Sequence, residues 1–253
     1  MVTDVENSKL QPSIKNLQYS KYAIPEYLVR HYWWAYLSPI GVNFFDHSFI
    51  VNQILWGQYH AIAQNAVETI TQQYQQKVAA ISCAYGGFFP KLAHHHHIEN
   101  LFMFDVVPIQ IKRMQQKFKK NNLKDKGHFF LGNAEQIALQ SGQVDSTILY
   151  FLLHELPPKA RANVLFEAIR IVKPKGRLII ADYAPFGRQH LFHRNKLLRG
   201  VFETLEPFLG DFWRCDLLAE LTQQAKLQGR TLLIKSEKSY WRQFYRLLEL
   251  TIE

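Results

Sequence analysis

The sequence predicts an α/β fold built on a mostly parallel sheet, and three observations support this prediction. The stretch Val78–Asp105 has the order strand, glycine turn, helix, strand and acidic residue. Apolar strands and helices then alternate as far as Asp182. Two later segments, Thr231–Ser236 and Tyr245–Ile252, can pair as an antiparallel hairpin at the sheet edge. Strands that alternate with helices favour a parallel sheet covered by helices on both faces.

The strands and helices of this predicted domain can be assigned in chain order. The fourth strand is nearly all apolar, as expected for a strand buried on both faces. The predicted parallel strands are Val78–Ser82, Leu101–Phe104, Gly127–Leu131, Val144–Leu153 and Arg177–Asp182. The predicted helices are Phe88–His97, Pro108–Lys120 and Lys159–Val172.

The first third of the chain has a different composition. Residues 1–24 are polar and are interpreted as a flexible arm, residues 25–76 as a helical lid, and residues 77–253 as the α/β domain. The lid is predicted as two helices, Ile24–Phe45 and Phe49–Tyr74. Nine aromatic residues lie between Tyr27 and Trp56. Tyr and Trp favour the membrane–water interface, whereas stacking on nucleic-acid bases is the less favoured interpretation.

Composition restricts the class of protein. The chain has 253 residues, 47% of them hydrophobic, and a net charge of +9 that suits an anionic surface or ligand. No apolar run approaches the roughly 20 residues that span a bilayer. Asp4 and Glu6 and the lack of an apolar region near the start argue against a secretory signal. Cys83 and Cys215 lack metal-ligand spacing, so we expect a cytosolic setting without a disulfide framework.

The glycine turn and the acidic residue predict a nucleotide site. Gly86 and its neighbour Gly87 would let the backbone approach a ligand, although an ordinary strand–helix turn is the alternative. Asp105 follows the glycines by about 20 residues, where an acid accepts hydrogen bonds from ribose hydroxyls. The usual G-x-G-x-x-G pattern is missing. The residues of this unit predicted to contact the ligand are Cys83, Ala84, Tyr85, Gly86, Asp105 and Val106.

Candidate catalytic residues follow the fourth and fifth strands. His154 comes after the fourth strand, at the sheet edge where open α/β folds bind ligands, and is predicted to be a general base. A hydrogen-bonded loop histidine is the alternative. Asp182 and Tyr183 end the fifth strand at the same edge. Tyr85, in the glycine turn, is predicted to face the substrate or else to pack as an aromatic residue.

Several segments resemble the rhodoquinone-biosynthesis family known as RquA, which is grouped with class I S-adenosylmethionine-dependent methyltransferases. The aromatic block and the C-x-Y-G turn are specific to this resemblance, which covers nearly all of the chain from about Tyr27. The segments that carry it are Tyr32–Asp46, Val51–Gly57, Ile81–Phe88, Phe104–Gln110, Leu149–Pro157 and Thr204–Arg214. Val144–Pro157 also resembles the fourth strand and following motif of quinone C-methyltransferases.

The resemblance implies a Rossmann-like, seven-stranded sheet and an unusual reaction. A methoxy group of ubiquinone would be replaced by an amino group, with S-adenosylmethionine as nitrogen donor and Mn²⁺ assisting. It also places Asn133 and Ala134 next to the adenine, with a turn residue as the alternative for Asn133, and adds Phe151 to the cofactor contacts. Gly87 and Asn133 depart from the family pattern, which commonly has acidic residues there. The possible Mn²⁺ ligands are Asp182, Glu155, His154 and Asp211, and the sequence singles out no set among them.

Other functions stay open at this point. An ordinary quinone O- or C-methyltransferase shares the fold and cofactor, and a non-catalytic protein that binds quinone or nucleic acid with a degenerate cofactor pocket is a different class. We expect peripheral contact with the cytoplasmic face of a bacterial inner membrane. His94–His97 is interpreted as an exposed helix end or loop rather than a metal site. The oligomeric state does not follow from the sequence.

Overall fold

A computed structural model describes residues 24–187 and 190–253. Seven strands form one sheet in the order β3-β2-β1-β4-β5-β7-β6. β7 runs antiparallel to β5 and to β6, while β1 to β5 are mutually parallel. The strands are β1 Gln75–Ile81, β2 Ile98–Asp105, β3 Gly127–Leu131, β4 Val144–Tyr150, β5 Val172–Tyr183, β6 Leu232–Tyr240 and β7 Tyr245–Ile252. This topology confirms the predicted fold class.

Helices cover both faces of the sheet and its carboxyl edge. A π-helical segment, Trp33–Leu37, follows the first helix, and one 3₁₀ turn, Leu153–Glu155, follows β4. The α-helices are α1 Glu26–His31, α2 Pro39–Phe45, α3 Ser48–Ile54, α4 Tyr59–Ile70, α5 Phe88–His94, α6 Pro108–Lys120, α7 Pro158–Arg170, α8 Leu191–Arg194, α9 Lys196–Leu205, α10 Leu209–Arg214 and α11 Leu217–Lys226. No helix in the described ranges is long and apolar enough to cross a bilayer.

The lid is divided into more helices than the sequence predicts. Pro39 lacks an N–H and begins α2, where the Ser38 hydroxyl accepts a hydrogen bond from the N–H of Gly41 at 3.4 Å. Trp56 and Gly57 then have positive φ angles and separate α3 from α4. The prediction of two long, continuous helices is therefore wrong. The predicted arm lies almost wholly outside the described residues.

Two predicted elements are shorter in the structure. β4 ends at Tyr150 rather than Leu153 because Phe151 adopts φ +51°, which turns the chain into the 3₁₀ segment. α5 ends at His94 rather than His97, since His95 is already extended. The first change leaves irregular backbone at the carboxyl end of β4, and irregular backbone can present N–H groups and side chains to a ligand.

The core joins the lid to the sheet. In α4, Ile62 and Ile70 are fully buried in the same hydrophobic core as the central strands. Burying a side chain of this size stabilises the fold by about 1.5–3 kcal/mol. A smaller cluster of Leu28, Tyr32 and Val107 connects α1 to the start of α6. The lid is thus held at both its beginning and its end.

A buried ion-pair cluster fixes the middle of the lid. Asp46, at the end of α2, accepts hydrogen bonds from Lys117 and, at 3.2 Å, from Arg113 of α6. Lys117 also donates to the carbonyl oxygen of Gly86 at 2.6 Å. Burial lowers the pKa of Lys117, which the nearby Asp46 carboxylate partly offsets. Arg113 and Lys117 of α6 thus hold the end of α2, and Lys117 also joins the lid to the glycine turn.

Candidate active site

A cavity of about 460 Å³ lies between the lid and the carboxyl ends of the parallel strands. Its walls are mostly apolar and aromatic, and its volume is in the usual range for small-molecule sites. The predicted site residues that line it are Cys83, Ala84, Tyr85, Asp105, Val106, Asn133, Ala134, Phe151, His154 and Tyr183. Gly86 and Asp182 do not line it.

Asp105 is held at the end of β2 by backbone donors. Its Oδ2 accepts from the N–H of Cys83 and its Oδ1 from the N–H of Val107, each at 2.8 Å. Burial raises the pKa of Asp105 to about 6, and these hydrogen bonds limit the rise. Each carboxylate oxygen can still accept a further bond, so the geometry permits the predicted contact with ribose.

The glycine turn does not offer its glycines to the cavity. Gly86 has φ +84°, and a Cβ there would lie 2.5 Å from the Tyr59 hydroxyl oxygen. That hydroxyl accepts a hydrogen bond from the N–H of Gly87 at 2.7 Å. The glycines therefore serve close packing against Tyr59. The backbone that reaches the cavity is Ser82–Tyr85, and Ser82 itself has φ +86°.

Asn133 lies at the cavity wall but is already engaged in its own turn. Its Oδ1 accepts from the N–H of Glu135 at 2.9 Å. This is the turn that the sequence offered as the alternative to adenine binding. Ala134 lines the same wall. An adenine amine would have to use the second lone pair of the Asn133 oxygen.

Tyr85 forms an aromatic wall with two lid residues. Its ring is stacked on Tyr36, with centroids 5.4 Å apart, and on Phe45 at 6.3 Å. Its hydroxyl donates to the carbonyl oxygen of Ala35 and accepts from Nε2 of Gln110 at 2.8 Å. The hydroxyl is thus committed to the lid, while the ring faces the cavity.

His154 is oriented by Asp182. Oδ1 of Asp182 lies 2.7 Å from Nδ1 of the imidazole, and Oδ2 accepts from the N–H of Leu153 at 2.9 Å. Burial lowers the pKa of His154, but the carboxylates of Asp182 and Glu155 outweigh it and raise this pKa to about 9. Since Asp182 is fully buried, it positions His154 and does not itself reach the cavity.

Three potential metal ligands converge beside His154. Nε2 of His154 and carboxylate oxygens of Glu155 and Glu206 all lie within 4.8 Å of one another. Tyr36 donates a hydrogen bond to Glu155, and Oε2 of Glu206 has no hydrogen-bond partner among the described residues. Burial raises the pKa of Glu155 to about 8 and also raises that of Glu206. A buried carboxylate, a partly buried carboxylate and an imidazole form a donor set suited to a hard divalent cation.

The remaining candidates have other environments. Tyr183 packs edge-on against His154, with centroids 4.8 Å apart, and forms part of the cavity wall. Asp211 accepts from Arg161 at 2.9 Å and does not belong to the three-ligand cluster. In the histidine run, Nδ1 of His97 lies 2.6 Å from the carbonyl oxygen of Thr71. α5 ends at His94, and His95–His97 follow it as a loop, which agrees with the predicted helix end or loop.

Sequence reasoning missed Glu206 and the lid tyrosines as site residues. Glu206 follows α9 and lines the cavity close to Glu155. Glu206 belongs to Thr204–Arg214, one of the segments that carry the family resemblance. That resemblance was the signal that could have identified it as a site residue. Tyr27 and Tyr36 lie in the aromatic block, whose composition does not indicate which rings face inward.

Comparisons with known proteins agree with the topology. Residues 78–176 match the family described as "Methyltransferase domain". A Haemophilus influenzae protein described as uncharacterized is 26% identical over 141 residues, which are 55% of this chain and 55% of that relative. The match therefore spans about half the length of this relative.

Solved structures share the fold at low sequence identity. The cyclase SpnF has a TM-score of 0.58 and 12% identity, over 78% of this chain and 82% of its own. The PH0226 protein of Pyrococcus horikoshii has a TM-score of 0.57 and 15% identity, over 91% of this chain and 100% of its own. A Methanosarcina mazei S-adenosylmethionine-dependent methyltransferase has a TM-score of 0.56 and 15% identity, over 73% of this chain and 96% of its own.

The fold supports S-adenosylmethionine as the ligand of the cavity, because open α/β sheets of this kind bind ligands at the carboxyl ends of their strands. The Asp105 carboxylate and the Ser82–Tyr85 backbone stand at that edge. The strand order, the family match from β1 into β5 and the solved neighbours together show that the chain has the class I S-adenosylmethionine-dependent methyltransferase-like fold.

Proposed function

We propose that this protein converts ubiquinone to rhodoquinone, replacing a ring methoxy group with an amino group drawn from S-adenosylmethionine. The observation that carries the proposal is one cavity lined by two different sets of polar groups. One set is the Asp105 carboxylate with the turn after β1, and the other is His154 with two acidic residues. The stacked rings of Tyr36 and Tyr85 form an aromatic wall suited to a flat quinone.

The substitution can be written so that its atoms balance. The amine nitrogen of S-adenosylmethionine bonds to the ring carbon that carries the methoxy group, and the carbon–oxygen bond to methoxide breaks. The first amine proton leaves with methoxide as methanol. The bond from this nitrogen to Cα of the cofactor must then break. Loss of the Cα proton reduces the quinone ring and leaves an imine, which water hydrolyses to the aminoquinol and an α-keto acid. A donor at a quinone carbonyl would make the ring more electrophilic. We assign this donor to Nε2 of His154, which faces Glu155 at 3.9 Å while Asp182 holds Nδ1. The general-base role predicted from sequence requires the neutral imidazole instead.

Mn²⁺ is a proposed component of the same site. Nε2 of His154, Glu155 and Glu206 supply the nitrogen and oxygen ligands that this ion accepts, and Asp182 would orient the histidine from behind. When bound, the ion would supply Lewis acidity at a quinone oxygen. Nε2 of His154 cannot both bind Mn²⁺ and donate a hydrogen bond to the quinone carbonyl. An Mn²⁺ titration therefore distinguishes the two roles.

We propose that a membrane surface delivers the quinone, because apolar side chains surround the cavity. Leu197, Val201 and Leu205 are spaced by four along α9 and are 82%, 57% and 55% exposed. Leu205 and Ile54 are exposed and also line the cavity, so the apolar rim continues into it. Exposed apolar residues rimmed by basic ones suit an anionic bilayer surface. The exposed basic residues beside α9 are Arg194 and Lys196.

A quinone O- or C-methyltransferase is the second candidate function, favoured by the family match at residues 78–176. It would use the same cavity and cofactor but transfer the methyl group. The fold alone does not select between these reactions, since the neighbour SpnF is a cyclase. A non-catalytic protein with a degenerate pocket is the third, and it is favoured only by the missing glycine pattern.

Mass spectrometry of quinones tests the proposal. Purified protein would be incubated with a short-tail ubiquinone, S-adenosylmethionine and Mn²⁺, with His154→Gln as the control. A quinone with amine in place of methoxy supports the proposed reaction. A methylated quinone would assign the protein to the methyltransferases. Absence of product together with absence of S-adenosylmethionine binding by calorimetry would favour the non-catalytic alternative.

A further inference from the structure

A second pocket, of about 580 Å³, opens away from the lid between α9, α10, α11 and β7. Three arginines line it, one from each of α9, α10 and β7: Arg199, Arg214 and Arg246. The proposed quinone reaction assigns no role to this pocket. The concentration of guanidinium groups in one concave site indicates an anionic ligand.

Arg246 is the informative residue of this pocket. It is 5% exposed, yet its guanidinium makes no hydrogen bond within the described ranges, and its Nε is buried without a partner. The nearest carboxylate oxygen, on the half-exposed Glu237, is 3.9 Å from a terminal nitrogen of the arginine. A buried charge with one long ion pair and no hydrogen bond is costly, and such a group calls for a ligand or ion.

A helix N-terminus points to the same place. α11 begins at Leu217, and the N–H groups of Leu217 and Leu218 donate to no acceptor in the described part of the chain. Both residues line the pocket. Free N–H groups and the positive end of the helix dipole favour a bound anion. This second donor set is independent of Arg246.

Acidic groups near the pocket do not neutralise these donors. Glu203 is shared, since it accepts from Arg214 at 2.9 Å and lies 3.9 Å from Arg199. Asp216 lines the pocket, but its Oδ1 caps α11 by accepting from the N–H of Ala219 at 3.0 Å. Arg246 is left as the cation without a close acidic partner.

We propose that this pocket binds a phosphate group, held by Arg246 and the first amides of α11, with Arg199 and Arg214 at its rim. The planar guanidinium can give two parallel hydrogen bonds to phosphate oxygens. A soluble phosphate compound and the headgroup of a phospholipid offer the same chemistry. The site is separate from the proposed quinone cavity, so its test does not depend on the quinone reaction.

Thermal unfolding of the full chain in a phosphate titration tests the proposal, with sodium chloride at matched ionic strength as the reference. We expect a saturable rise in the Tm of the wild type. Arg246→Met should lose this rise, and Arg30→Met, on α1, should keep it. Without phosphate, Arg246→Met should be at least as stable as the wild type, because it removes an unpaired buried charge.

A second variant and two ligands complete the test. Arg214→Met serves as the test if Arg246→Met fails to fold, because it changes a largely exposed side chain. This variant should weaken phosphate binding at least tenfold. Glycerol 3-phosphate that binds as tightly as dihexanoylphosphatidylglycerol indicates a soluble ligand, whereas tighter binding of the lipid indicates a headgroup. No effect of phosphate on the wild type, or a rise in Tm of Arg246→Met and Arg214→Met equal to that of the wild type, would overturn the proposal.

Discussion

Asp182 fixes which nitrogen of His154 faces the cavity. Its Oδ1 lies 2.7 Å from Nδ1, and its Oδ2 is anchored by the N–H of Leu153 at 2.9 Å. Because an ionised carboxylate only accepts hydrogen bonds, Nδ1 carries a proton. Nε2 is then the atom left for a substrate or metal ion. The proposed reaction depends on this orientation more than on any other contact of the site.

Replacing Asp182 by Asn should lower kcat for quinone conversion by about 10–100-fold, as loss of a partner behind a functional histidine does. The N–H of the new amide can donate to Nδ1. The imidazole proton would then lie on Nε2 instead of Nδ1. Affinity for S-adenosylmethionine should not change, since Asp182 is outside the cavity. Steady-state kinetics and calorimetry measure the two quantities. A folded variant with wild-type kcat would remove Asp182 from the mechanism.

Asp105→Asn should weaken S-adenosylmethionine binding by about tenfold or more, because it removes a charged hydrogen-bond acceptor. The amide would also place a donor against the N–H groups of Cys83 or Val107. In the wild type, affinity should fall below pH 6 as the carboxylate is protonated, since its pKa is about 6. Calorimetry at several pH values checks both effects. Equal affinities for the two proteins at pH 7 would contradict the assignment.

The raised pKa of Asp105 also predicts the pH dependence of stability. Between pH 4 and 6 the folded state binds more protons than the unfolded state, because burial raises this pKa from 3.8 to about 6. The free energy of unfolding contributed by Asp105 should therefore fall as pH rises through this window, by at most ~3 kcal/mol. Urea unfolding of the wild type and Asp105→Asn measures the difference. Parallel stability curves would contradict it.

Glu206→Gln should weaken Mn²⁺ binding by at least about tenfold, because it removes one of three clustered donors. Asp211→Asn is the matched control, since Asp211 is paired with Arg161 outside this cluster. Electron paramagnetic resonance of free Mn²⁺ gives the dissociation constants. If Glu206→Gln bound Mn²⁺ like the wild type, the proposed ligand set would be wrong, and His154 would keep the donor role.

Changing Leu197 and Val201 together to Asp should reduce co-sedimentation with anionic vesicles several-fold, because both side chains are largely exposed on α9. Turnover of a soluble short-tail quinone should stay unchanged, since neither residue lines the cavity. Leu233→Asp, in exposed β6, controls for the added charge. Vesicle binding that is unaffected by the double change would exclude α9 as the membrane contact.

The sheet was predictable because its signals are local. Apolar strands that alternate with helices, and Asp105 after a glycine turn, gave the parallel sheet and its ligand-binding edge. The final hairpin followed from two apolar segments, although β6 runs to Tyr240 rather than Ser236. Long apolar runs leave few alternatives to a buried strand.

The site was predictable only in part because its contacts are long-range. Glu206 lies about fifty positions after Glu155 in the chain, and the fold brings the two side chains together. No periodic pattern in the sequence indicates such a contact. The orientation of Tyr85 depends on a lid carbonyl at Ala35. Gly86 suited a ligand-binding turn, yet the space beside it is occupied by Tyr59. Pattern reasoning locates an edge of the sheet but not the partners of each side chain.

The decisive measurement follows isotopes from S-adenosylmethionine into the quinone. One sample would carry heavy nitrogen at the amine and a second would carry deuterium in the methyl group, each with a short-tail ubiquinone and Mn²⁺. We predict that the product quinone contains the heavy nitrogen and no deuterium, and that His154→Gln forms little product. Deuterium in the quinone without heavy nitrogen would contradict the proposed amino transfer and show a methyltransferase.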